Sequence, residues 1–186
     1  MWKHVLLLLA TVAAFAVSLV MLQQVLGPGS PWMGLMVMLC LLGTARFADP
    51  ICQLRMPWAL RAVRPWELNG DFSERLLVPQ FGGLLRTTPL RLLNPEVYVS
   101  RRDPVRLVRQ LEAAEASHFW ATLVLIPWQV WCAISGRWGI FALFLVIQLL
   151  GNIYPILHLR LARGRLERVI RRQQTRTGPV VATTAR

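Results

Sequence analysis

Glu115 and His118 stand one helical turn apart in the stretch AAEASHFW, residues 113–120, where the chain turns apolar. A carboxylate at i and an imidazole at i+3 of a helix can touch, which would fix the imidazole tautomer and raise its basicity. A histidine held that way can take a proton from a hydroxyl. The competing reading is an interfacial salt bridge, or a cap-like hydrogen bond, that seats the helix at a headgroup boundary; structural pairs perturb titration as well. Val108, Leu111, Glu115, His118 and Thr122 follow 3-4-3-4 spacing, so both polar groups lie on the helix's apolar stripe and face other protein.

A second constellation lies further on. Gln148, Asn152 and Pro155 share one helical face, and Tyr154 and His158 a neighbouring one, in or just below an apolar run. Pro155 removes a backbone donor and crowds the carbonyl of Gly151, so a kink is expected there, with polar side chains at hand for the freed group. Polar residues in hydrocarbon mark functional sites by default, but Asn and Gln also join helices to one another, and spacing leaves both roles open. Arg160, Arg163 and Arg165 follow directly. They are either anchors on the positive side of a membrane or a cradle for an anionic head such as a phosphate or a thioester carrier.

The elements that must carry these residues are apolar helices. The chain has 186 residues, 55% of them hydrophobic and 16% charged, with a mean hydropathy of +0.45. That is the composition of a membrane protein. Its formal charge of +12 comes from 21 Lys and Arg against 9 Asp and Glu, and every cation but Lys3 is Arg. Most lie in two blocks beside apolar runs, without the alternating aromatics of a nucleic-acid groove, so the partner they fit is anionic membrane lipid and not nucleic acid. Cys40, Cys52 and Cys132 have neither disulfide-framework nor zinc spacing and read as apolar fillers.

A first span is expected over residues 5–25. A signal peptide is the alternative, with AFA at 14–16 as its cleavage site, but the apolar run continues to Leu22. GPGSP at 27–31 breaks the chain before a second span over 32–48. Residues 49–117 are rich in Arg and Pro, with Trp58, Trp66, Phe72 and Phe81 interleaved, and read as short helices and loops in the headgroup zone. Asp103-Pro104 is a helix start, an N-cap acid followed by proline. Two further spans, 118–134 and 139–158, flank SGRWG at 135–139, and a basic tail, 159–186, ends in the disordered-looking TRTGPVVATTAR. The expected fold is an all-α integral membrane protein, four transmembrane helices in two hairpins, with an interfacial segment between them. The positive-inside rule puts that segment, the tail and both termini in the cytoplasm.

NIYPILHLRLARGR, residues 152–165, together with the Glu-x-x-His at 115–118, resembles the glycosyl-4,4'-diaponeurosporenoate acyltransferases, small integral membrane enzymes of carotenoid synthesis. That family's pattern is Asn, Tyr-Pro two residues on, then Gln-Arg-Tyr-Asn-Arg-x-Arg. Asn152, Tyr154, Pro155, Arg160, Arg163 and Arg165 match it, as do Glu115 and His118, while Leu159, Leu161 and Ala162 depart from it. The likeness covers roughly residues 100–166; WELNGDFSERLLVPQFGG, 66–83, keeps its rhythm but lacks its Trp-Lys pair. The resemblance implies transfer of a fatty acyl group from a thioester donor to a hydroxyl of a lipid-soluble or carotenoid glycoside. On that model His118 is the general base, Glu115 orients it, Asn152 or Tyr154 donates to the oxyanion, and Arg160, Arg163 and Arg165 hold the carrier. Neither metal nor cofactor is called for, and no Ser or Cys stands in a nucleophile motif, which favours direct transfer. A non-catalytic scaffold or anionic-lipid binder, with Glu115 and His118 as a structural pair, is the alternative, and another lipid-acting transferase or isomerase a third.

Overall fold

A computed structural model describes residues 2–27, 30–68, 70–87 and 103–176. The far end of the tail lies outside the described residues, as do Pro28 and Gly29 of the first breaker and Arg91, Arg101 and Arg102 of the middle block.

Helix α1, Trp2–Leu26, is apolar on every face and buries none of its residues in the protein. It ends at Gly27, whose φ of 75° is open to glycine at little cost. Helix α2, Pro31–Cys52, begins under a Ser30 cap, whose hydroxyl accepts from Trp32 N at 3.3 Å, with proline in the first turn. The two form a hairpin in which Gly43 meets the Phe15 ring.

Among the described residues three short helices follow: α3, Trp58–Arg61; α4, Gly70–Arg75; and α5, Val78–Thr87, with a 3-10 turn at Pro65–Leu68. Trp58 and Trp66 stay exposed, as amphipathic rings do where apolar and wet surroundings meet. Helix α6, Pro104–Ile134, opens on Asp103, whose carboxylate accepts from Val105 N at 3.0 Å and Arg106 N at 3.1 Å. After the turn at Gly136 come α7, Trp138–Gln148, a π-helical turn at Leu149–Ile153, and α8, Tyr154–Arg176, joined into one rod. Pro155 cannot donate to Gly151, and the chain meets this by widening one turn, so that Tyr154 N–H reaches back to the Leu149 carbonyl. The last helix does not stop near residue 158 but runs on to Arg176.

Among the described residues, three helical stretches are long and apolar enough to cross a membrane: Trp2–Leu26, Trp32–Asp49 and Trp138–Thr175. The apolar half of α6, expected as a span over 118–134, is not among them. His118, Trp120, Trp128, Gln129 and Trp131 dilute its aliphatic residues. It nonetheless packs in the middle of the others. Met38 of α2, Leu125 of α6 and Phe144 of α7 form the buried core, and Phe144 stacks on Trp128 with ring centroids 5.4 Å apart. Gly34 makes room for the Phe144 ring and Gly151 for Met38; a Cβ at either would crowd them. Close approach over small residues is how apolar helices gain contact where hydrocarbon removes the hydrophobic drive.

Candidate active site

The site lies where α6 and α8 pass each other below that core, covered by the segment from α3 to α5. Two polar clusters meet there.

The first is ionic. The Glu115 side chain is 0% exposed. Its Oε1 accepts from Arg160 Nη1 at 2.5 Å, and its Oε2 lies 3.1 Å from Arg163 Nε and 2.9 Å from Arg163 Nη2. Arg160 also forks onto Glu67, with Nε and Nη2 at 3.1 and 2.9 Å from Oε2, and donates to the carbonyls of Leu60 and Ala62. Arg163 donates to the Arg61 carbonyl at 2.7 Å and to Glu167 at 3.2 Å. The two guanidiniums therefore strap residues 60–67 to α6 and α8, and Leu68 and Val63 close over Gly164. Burial pushes the Glu115 carboxyl above its ordinary range, against the opposing pull of Arg163 and Arg160. A buried carboxylate is tolerable only with such partners.

The second cluster is neutral. His118 Nδ1 lies 3.2 Å from Asn152 Oδ1, and the backbone of Gly151 also faces the ring. Asn152 is 0% exposed and its Nδ2 donates to Gln148 Oε1. Gln148 Nε2 in turn donates to the Thr122 carbonyl on α6 at 3.3 Å. The widened turn just before Pro155 carries Asn152 on its inner side and supplies the Gly151 carbonyl. Beside it, Phe81 of α5 packs on Tyr154 at 5.3 Å, and Gly82 sits against His158 so closely that a Cβ would lie 2.5 Å from Cε1.

Both expected constellations thus converge, but with different pairings. The Glu115 oxygens face two guanidiniums, a charge-assisted partnership, and the side chain that meets the His118 ring is Asn152. Asn152 is committed at both ends of its amide, and Tyr154, two residues on, is half-buried. Arg160 and Arg163 are spent on carboxylates and backbone carbonyls, while Arg165 is exposed, in line with Arg168 and Arg172. Glu67 and the Arg61–Glu112 pair at 2.8 Å were not singled out by spacing. Scarcity of acid was the available signal: with 9 Asp and Glu in the chain, any buried Arg must reach one of few carboxylates. Among the described residues no group of three or more His, Cys, Asp or Glu is placed to hold a metal ion.

Apolar helices long enough to cross a bilayer, closing over buried polar groups beside a partly exposed histidine, are the build of a helical membrane protein. The glycosyl-4,4'-diaponeurosporenoate acyltransferase family model matches residues 57–172. The chain belongs to that family, and it is an enzyme, an acyltransferase of carotenoid biosynthesis. The match opens at the segment strapped by Arg160 and closes within α8, so it takes in both clusters entire. No curated protein and no solved structure matches the chain.

Proposed function

We propose that the protein transfers a fatty acyl group from a thioester donor to a sugar hydroxyl of a lipid-soluble carotenoid glycoside, with His118 as general base. The observation that carries this reading is the His118–Asn152 contact of 3.2 Å, which joins the entry of one apolar helix to the polar turn of another. The imidazole takes the hydroxyl proton as its oxygen attacks the thioester carbonyl. Tyr154 donates to the oxyanion of the tetrahedral intermediate, the C–S bond breaks, and the imidazolium returns the proton to the departing thiolate.

In this reading α6 crosses the membrane with the three apolar helices, giving four spans with both termini and the interfacial segment in the cytoplasm. Acyl chain and polyisoprenoid then lie in lipid while thioester and sugar meet at the headgroups. The exposed face of Arg165, Arg168 and Arg172 holds the donor's anionic carrier or anionic lipid. The test is direct. Membranes containing the protein, given a glycosylated carotenoid and a long-chain acyl thioester, should yield a product heavier by one acyl group, resolved by mass spectrometry. Unchanged glycoside in the presence of folded protein contradicts the reading.

A further inference from the structure

The amides of Gln148 and Asn152 have a direction, and it can be worked out from one end. The Thr122 carbonyl only accepts, so the Gln148 atom 3.3 Å from it is a donor, Nε2. Gln148 Oε1 then faces Asn152 and accepts from Nδ2. Asn152 Oδ1 is thereby turned to His118, and an amide oxygen also only accepts, so the ring nitrogen it meets at 3.2 Å, Nδ1, carries the proton. The Gly151 backbone, with its carbonyl released by Pro155, faces the same ring. Gln148 is 4% exposed and Asn152 0%, so bulk water does not compete to reverse either amide. Joining helices would need only the Gln148–Thr122 bond, with the Asn152 amide turned either way. A directed chain from a backbone carbonyl to a ring nitrogen does something more specific.

We infer that Gln148 is a positioning residue: acting through Asn152, it holds His118 in the Nδ1–H tautomer and makes Nε2 the basic nitrogen. That Nε2 then serves acyl transfer rests on the proposed function. Without Gln148, the Asn152 amide is free to rotate, Nδ2 can donate to Nδ1, and the imidazole proton moves to Nε2, where the ring no longer accepts from a hydroxyl.

The full-length protein, labelled with 15N-histidine in lipid nanodiscs, tests this by NMR. Its three histidines, His4, His118 and His158, are few enough to assign by comparison with His118→Gln. In the wild type, Nδ1 of His118 should be pyrrole-type and Nε2 pyridine-type. Gln148→Leu should move both signals toward a mixture and lower acyl transfer about tenfold or more. Gln148→Glu, protonated at this buried place, can still donate to Thr122 and accept from Asn152, and should keep the wild-type pattern. A proton on Nε2 in the wild type overturns the inference, even if Gln148→Leu fails to fold. So does a tautomer that Gln148→Leu leaves unchanged. If the tautomer shifts while acyl transfer proceeds at the wild-type rate, the positioning stands and the base role of His118 falls.

Discussion

Replacing Glu115 by Gln keeps its shape and removes its charge. The wild-type carboxylate, 0% exposed, accepts from Arg160 at 2.5 Å and Arg163 at 3.1 Å. In Glu115→Gln an NH2 group faces a guanidinium, two donors with no acceptor between them. Arg160 retains Glu67, but Arg163, 3% exposed, keeps only Glu167 and the Arg61 carbonyl, with one carboxylate where it had two. Removing one partner of a buried pair costs about 3–5 kcal/mol, and the retained Glu67 contact places this case near the lower end, about 3 kcal/mol. At roughly 2–4 °C per kcal/mol for a chain of this size, the thermal midpoint should fall about 6–12 °C. Intrinsic fluorescence of the eight tryptophans in detergent reads the transition, and faster proteolysis within residues 57–68 would report the loosened strap. The double variant Glu115→Gln/Arg163→Gln should recover part of the loss, because the two costs share one interaction and do not add. A midpoint that stays at the wild-type value while product disappears would refute this reasoning and return Glu115 to the role of orienting His118.

The packing and charge assignments carry their own tests. Gly34→Leu drives a side chain into the Phe144 ring and should destabilise the protein by about 1–3 kcal/mol, seen as a lower thermal midpoint. Asp103→Ala removes the cap of α6 and should cost about 1 kcal/mol, with faster amide exchange confined to the first turn after Pro104. The double variant Arg165→Gln/Arg168→Gln should raise the donor KM several-fold, at about 1 kcal/mol or less per charge, and leave the midpoint alone. Arg163→Gln should do the reverse.

What the sequence revealed and what it withheld follow a physical line. Caps and breaks were legible because they are local: Asp103 before Pro104 and Gly136 in SGRWG act on their own neighbours. The inward facing of Glu115 and His118 was legible from 3-4 spacing, because helical geometry alone decides it. Their partners were not. Glu115 is 45 residues from Arg160 and 48 from Arg163, and Glu67 is 93 from Arg160. Spacing offers the nearest group, whereas a buried carboxylate takes the strongest one. Arg160 and Arg163 read as free cations because the middle segment that consumes them is short, irregular and distant in the chain. Pro155 announced a disturbed helix, and the disturbance takes the form of a widened turn in which Tyr154 N–H reaches the Leu149 carbonyl. The apolar half of α6 was expected to be a span from its aromatic and aliphatic run; among the described residues it is not one of the three stretches that length and hydropathy single out, with His118 and Gln129 lowering its hydropathy most.

The role of His118 can be measured most directly with His118→Gln in the acyl-transfer assay, at matched folded protein. Loss of a general base predicts a fall in turnover of about 10²–10⁴-fold with an unchanged thermal midpoint. Turnover within twofold of the wild type, from a variant equally folded, would contradict it.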